Sequence, residues 1–281
     1  MYRLTSEVYM HTKWQMTFFL FLGIVNAGIL LCISAKMITG FGEKAERYSL
    51  AVFLTGFSAV LAVALGLNNP AGIISLLARP GAGLSIAVIS LTASAVFGLV
   101  IFFRKPMGMH IAVISAAASA LVMYSLFKLY MISTRPALHT YLLLILFIAV
   151  SVQFASVLTV TGSARSDGVF RKNSPAALSI LCINAVLFAA FILRIKMLMP
   201  PDRILSFEQL TSGSLSSVFW GAVLSMFVIP SVLSFLPALR HQSAMNGVYR
   251  LSAVLGILLL SILINQMPAM AGAAGGGRML F

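Results

Sequence analysis

Acidic residues are scarce in this sequence. Its 281 residues include 6 Asp and Glu against 19 Lys and Arg. Only 9% of positions are charged and 60% are hydrophobic, whereas a soluble domain carries about a quarter charged residues. That excludes a soluble domain of useful size. No carboxylate falls inside any long apolar run, and a proton-coupled transporter ordinarily needs one. Histidine is also scarce, with 4 in the chain. His11, His110, His139 and His241 all fall in connections or at the ends of apolar runs. A b-type haem needs two axial histidines at membrane depth, so no haem is expected. The 2 cysteines, Cys32 and Cys182, have no metal or iron–sulfur spacing. They are read as buried small hydrophobes, and no metal is expected. No internal repeat is evident, which disfavours transporters built from inverted repeats.

The net charge of +13 does not point to nucleic acid. The basic residues are scattered through short connections, without a patch or an aromatic platform. Lys and Arg beside apolar runs are the usual mark of membrane topology. Residues 1–15 are polar and include Glu7, and the run that follows is too long for a signal-peptide core. No cleavable signal is therefore expected. Residues 271–281, rich in Gly and Ala, receive no assignment.

What the chain does have is long apolar runs. About 20 apolar residues cross a hydrocarbon core as a helix. Eight such runs occur, at 16–38, 49–67, 84–103, 110–131, 140–161, 175–199, 214–236 and 249–271. They lack the ten-residue alternation of barrel strands, and backbone polar groups in lipid must be satisfied within the segment. The expectation is an all-α polytopic membrane helical bundle, one integral membrane domain over residues 1–281. Pro175 is expected at the start of the sixth helix, where its missing N–H costs nothing. Pro230 is expected to kink the seventh. Connections after the first, third, fifth and seventh spans carry nine basic residues, from Lys44 to Arg250, and the opposite side carries six, from Arg3 to Arg278. The positive-inside rule then places both termini outside.

Polar residues inside the spans are Asn26, Gln153, Asn184, Asn265 and Gln266, read mainly as interhelical hydrogen-bonding groups. Lys128, Arg194 and Lys196 lie close to the outer span ends, where their stems can snorkel. The connection from Asn68 to Ser85 is apolar for a loop. It is expected to lie as a short helix along the interface or to fold back over the bundle. Arg79 would then stand at the outer mouth, with Lys128, Tyr130 and Arg135 from the same side. Together these four could form a basic, partly apolar pocket, or act as independent interfacial anchors.

The pattern Leu67-x-x-Pro70, Leu77-x-Arg79-x-Gly81-Ala82, Leu84-Ser85 resembles the membrane-anchor subunits of the dimethyl sulfoxide reductase family. So does Lys128-x-Tyr130-Met131 followed by Arg135-Pro136-Ala137-x-x-Thr140. Trp14, Phe19, Gly23, Ala27 and Gly28 add to it in matching order. The motifs fall in roughly the first 145 residues; beyond them only size and hydropathy agree. Anchors of this family hold a molybdopterin catalytic subunit and a ferredoxin-like iron–sulfur subunit at the membrane, and bind menaquinol. The resemblance implies the same partners here, in a bacterial cytoplasmic membrane, with a cofactor site drawn from Asn68, Asn69, Arg79, Lys128, Tyr130, Arg135 and His139.

The chain departs from the family where proton chemistry is expected. Gly66 stands where the family has His. Ala87 or Val88 stands where it has Glu, Gly72 where it has Arg, and Leu138-His139 where it has Trp-Asn. Quinol oxidation releases protons, and a titratable acceptor is expected beside the quinol hydroxyl. By position, His139 is the available substitute. Two other readings stand beside this one: a structural anchor or assembly factor that oxidises no quinol, and a small-solute transporter.

Overall fold

A computed structural model describes residues 2–39, 45–66, 83–104, 108–131, 138–161, 167–198, 207–235 and 243–267. Helices dominate, and no strand occurs among the described residues. The helices are α1 (Tyr2–Ile38), α2 (Ala45–Gly66), α3 (Gly83–Arg104), α4 (Met109–Tyr130), α5 (Leu142–Thr161), α6 (Asp167–Lys196), α7 (Ser216–Val223), α8 (Ile229–Phe235) and α9 (Ser243–Gln266). A π-helical turn, Leu224–Val228, joins α7 to α8, and a single turn at Gln209–Thr211 precedes them. Eight stretches are long and apolar enough to cross a membrane, with α7, the π turn and α8 acting as one crossing. The chain is a multi-pass, all-helical bundle, as the apolar runs require.

The boundaries move where local chemistry intervenes. α1 begins at Tyr2, well before its apolar stretch starts at Trp14. α6 begins at Asp167 and runs through Pro175, so that proline does not open the helix. The apolar part of α6 starts at Ala177, which places Pro175 in the extension ahead of the crossing. Pro230 acts as expected of a residue that cannot donate to the ladder, but the disturbance takes the form of a π turn. The Ile229 N–H bonds to the Leu224 carbonyl, one residue further back than in an α-helix. Between α3 and α4 the chain reverses through Gly108, whose φ of 153° is a backbone conformation that L side chains rarely adopt. α9 ends at Gln266. The expected continuation of that span to residue 271, and the interfacial path of residues 68–82, lie outside the described residues.

α1 is the centre of the bundle. It packs against α2, α4, α5 and α9. In its most apolar stretch 72% of residues are buried, against 28–50% in the other crossings. Small residues make this possible, because helices in lipid associate through close packing rather than hydrophobic expulsion. A Cβ on Gly28 would lie 2.7 Å from Phe154 Cδ1 and 3.1 Å from the Ser151 carbonyl oxygen. α3 packs on α2 and α4, while α9 packs on α5, α7, α8 and the π turn. α6 is peripheral, resting on α5 and α8. Cys182, expected to be buried, is exposed on α6, whereas Cys32 on α1 is buried. The difference follows from position: an outer helix turns most of its apolar surface to lipid.

Candidate functional site

Successive crossings alternate in direction, so the bundle has two ends. The ends of α2 and α4, the starts of α3 and α5, and the C-terminal end of α9 share one of them with Trp14–Met16 of α1. It is here called the Tyr130 end. The other is the Lys36 end.

Tyr130, the last residue of α4, is 5% exposed. Its hydroxyl donates to Asn265 Oδ1 at 3.0 Å and approaches the Met16 carbonyl oxygen at 3.3 Å. It therefore ties α4 to α9 and α1. Its ring meets Phe147 of α5 edge-on, with centroids 6.5 Å apart. Lys128 is exposed and holds its ammonium 5.6 Å from the centre of the Tyr124 ring, a cation–π contact. Leu138 is fully buried, while His139 beside it is exposed. Tyr141 returns to the Phe127 ring at 5.6 Å between centroids, which holds the start of α5 against the end of α4. Lys128, Tyr130 and His139 thus belong to one end of the bundle. Asn68, Asn69, Arg79 and Arg135 lie outside the described residues.

The two glycines that flank residues 67–82 report where that connection leaves and re-enters the bundle. A Cβ on Gly66 would lie 2.8 Å from Gln15 Oε1. A Cβ on Gly83 would lie 3.1 Å from Leu129 Cα and 3.2 Å from the Lys128 carbonyl oxygen. The connection therefore departs beside Gln15 of α1 and returns against the last turn of α4. Gln15 was not among the residues singled out from the sequence. Its signal was available only as a carboxamide next to Trp14 at the edge of an apolar run. Ala87 and Val88 are both buried in the core, so neither position on α3 presents a titratable group.

Two polar groupings lie deeper. Asn26 of α1 donates to the Val52 carbonyl at 2.8 Å and to Thr55 Oγ1 at 3.0 Å, and accepts from Ser94 Oγ at 3.0 Å. One carboxamide so links α1, α2 and α3. Gln153 of α5 donates to the Met226 carbonyl at 2.8 Å and accepts from Asn184 Nδ2 of α6. Asn184 is fully buried, and its Oδ1 has no hydrogen-bond partner among the described residues. Interhelical bonding is thus the role of Asn26, Gln153, Asn184 and Asn265.

At the Lys36 end, Lys36 of α1 is buried, with its ammonium 5.1 Å from the centre of the Tyr48 ring. At the Tyr130 end, where α6 finishes, Arg194 and Lys196 are exposed, and Lys196 lies 6.0 Å from the Phe207 ring centre. Among the described residues no three His, Cys, Asp or Glu side chains come together as a metal site.

The chain matches no protein-family model and no curated protein.

Proposed function

We propose that this chain is the membrane-anchor subunit of a dimethyl-sulfoxide-reductase-like molybdopterin complex. In this reading it sits in a bacterial cytoplasmic membrane with the Tyr130 end and both termini outside. That end docks a ferredoxin-like iron–sulfur subunit, which in turn carries the molybdopterin catalytic subunit. Menaquinol binds beneath the docking face and passes its electrons to the iron–sulfur clusters for anaerobic respiration.

One observation carries the reading. Among the described residues, several that flank or belong to the resembling segments meet at this end: Gly66 beside Gln15, Gly83 against Lys128 and Leu129, and Tyr130 against Met16. A lipid-soluble quinol needs a site at the membrane boundary with polar groups from several helices, and Gln15, Lys128, Tyr130 and His139 all belong to this end. Lys128 and Arg79 would orient the quinone oxygens or the docked partner. Tyr130, its hydroxyl bonded to Asn265, would set the position of α4 rather than reach for the quinone. His139 is exposed at the same end and is the candidate proton acceptor. Changing His139 to Ala should abolish quinol-dependent reduction and leave the complex assembled.

Gly66 and the buried Ala87 and Val88 favour a second reading, an anchor that assembles the complex without oxidising quinol. The test is gentle purification of the tagged chain, metal analysis and titration with a quinol analogue. Copurifying iron and molybdenum with saturable binding supports the working anchor. Metals without quinol binding support the structural one. Neither metal nor quinol rejects both and favours a transporter.

A further inference from the structure

Gln153, Asn184 and Met226 stand near the middle of the crossings Leu142–Thr159, Ala177–Lys196 and Ser216–Leu233. Asn184 Nδ2 donates to Gln153 Oε1 and, at 3.2 Å, to the Ala149 carbonyl, which commits both of its N–H groups. Its Oδ1 is buried and has no hydrogen-bond partner among the described residues. Donation by the nitrogen polarises the carboxamide and makes this oxygen a stronger acceptor. The π turn adds a second acceptor. The Ile229 N–H goes to the Leu224 carbonyl, and Pro230 has no N–H. The Ser225 carbonyl therefore receives neither its α-type donor, residue 229, nor its π-type donor, residue 230. It is next in the chain to the Met226 carbonyl that Gln153 Nε2 reaches at 2.8 Å. Gln153 thus stands between the two acceptors, bonded to Asn184 on one side and to the π turn on the other, with one of its two amide hydrogens committed to Met226.

A buried acceptor left bare costs about 1–3 kcal/mol, and the hydrocarbon around a crossing offers no donor. A ligand for Asn184 Oδ1 must be small, because the oxygen is closed off from the surface, and it must bring donors. Water brings two and accepts a third bond, the usual pattern for a buried water. Two acceptors and the second Gln153 amide hydrogen match that pattern. A monovalent cation fits less well: the carboxamide and carbonyl oxygens are neutral, and burying a charge without a counter-charge is far more costly than burying a polar group. We propose that Asn184 Oδ1, the Ser225 carbonyl and the second Gln153 N–H hold one buried water molecule. It ties the peripheral α6 to the break in the seventh crossing and completes the compensation for Pro230 that Gln153 begins.

The experiment is a density map of the full chain in a lipid nanodisc, at a resolution that shows ordered water. One peak is expected within about 3 Å of Asn184 Oδ1, with the Ser225 carbonyl and Gln153 Nε2 as its other partners. No peak there, in a map that shows ordered water elsewhere, overturns the proposal. A second map, with sodium and potassium replaced by choline, separates the two small ligands. An unchanged peak supports water; a peak that disappears is a bound cation and overturns the assignment. Asn184→Leu removes the acceptor and fills a similar volume, so the peak should be lost. If that variant does not fold, Pro230→Ala decides, because a regular α-helix would return the residue 229 N–H to the Ser225 carbonyl and the peak should again be lost. A peak that persists in whichever variant folds overturns the site.

Discussion

Gln153 Nε2 donates to the Met226 carbonyl oxygen at 2.8 Å, and Met226 lies four residues ahead of Pro230. In an α-helix that carbonyl would accept from residue 230, and proline has no N–H to give. A side chain from α5 supplies the donor in its place. A buried carbonyl in lipid has no water to turn to, so the break in the seventh crossing is tolerable because Gln153 faces it. α9 closes in from another side: a Cβ on Gly256 would collide with Met226 Cγ.

Gln153→Leu should therefore lower stability by about 0.6–2 kcal/mol, the span found for an interhelical hydrogen bond in a membrane. Pro230→Ala should recover part of the loss, since it returns a backbone donor to the Met226 carbonyl. A double-mutant cycle on thermal melting in detergent measures this coupling. Additive effects of the two changes would show that Gln153 does not compensate for the proline.

Close backbone approach makes a second contrast. A Cβ on Gly98 would lie 2.7 Å from the Ser49 carbonyl oxygen and 3.0 Å from the Phe53 nitrogen, both backbone atoms that cannot swing aside. Gly98→Ala should force α2 and α3 apart and cost about 1–3 kcal/mol. Gly247, in the first turns of α9, has nothing among the described residues within 4 Å of its added Cβ. Gly247→Ala should be neutral or should stabilise by up to about 1 kcal/mol through helix propensity. Melting temperatures of the two variants, measured side by side, check the sign of each.

Tyr130→Phe removes the hydroxyl that reaches Asn265 and Met16 and keeps the ring beside Phe147. The expected loss is about 0.5–1.5 kcal/mol of stability, with naphthoquinone affinity close to that of the unchanged chain. A variant that melts normally but loses quinone binding would instead give Tyr130 a direct contact with the headgroup.

At the other end, Tyr48 can be divided into ring and hydroxyl. The ring lies under the Lys36 ammonium at 5.1 Å, while the hydroxyl makes a long 3.4 Å bond to the Leu158 carbonyl. Tyr48→Phe should change stability by less than about 1 kcal/mol, and Tyr48→Leu should cost more, because a desolvated cation–π contact is worth about 2 kcal/mol. Equal losses in the two variants, read from denaturation curves, would assign the stabilisation to the hydroxyl.

Much of the fold was legible because lipid imposes one simple rule. A run such as Gly83–Arg104 has to close its own backbone hydrogen bonds, so length and hydropathy alone dictate a helix. The same rule marked Asn26, Gln153, Asn184 and Asn265 as groups needing partners. It did not name the partners. Composition cannot say that Gln153 faces the carbonyl orphaned by Pro230, because residues 153 and 226 meet only when α5 packs beside the seventh crossing.

The candidate site was legible only in part for a related reason. Lys128 and Tyr130 drew attention by type and position, yet the sequence treats them alike. Packing separates them: Tyr130 turns inward to Asn265, and Lys128 stays exposed over Tyr124. Gln15 and Gly66, fifty-one positions apart, carry no shared pattern. Their relation exists because α1 and α2 run in opposite directions and close to within one side chain at the Tyr130 end.

The sequence by itself thus determined an all-helical, multi-pass protein, since apolar length and backbone satisfaction are properties of each segment alone. Only the tertiary structure decided that α1 is the hub, that Cys182 faces outward, and that Gln15 occupies the room beside Gly66. Those outcomes depend on which helix faces meet, and side-chain shape selects those faces across distances that no local pattern spans.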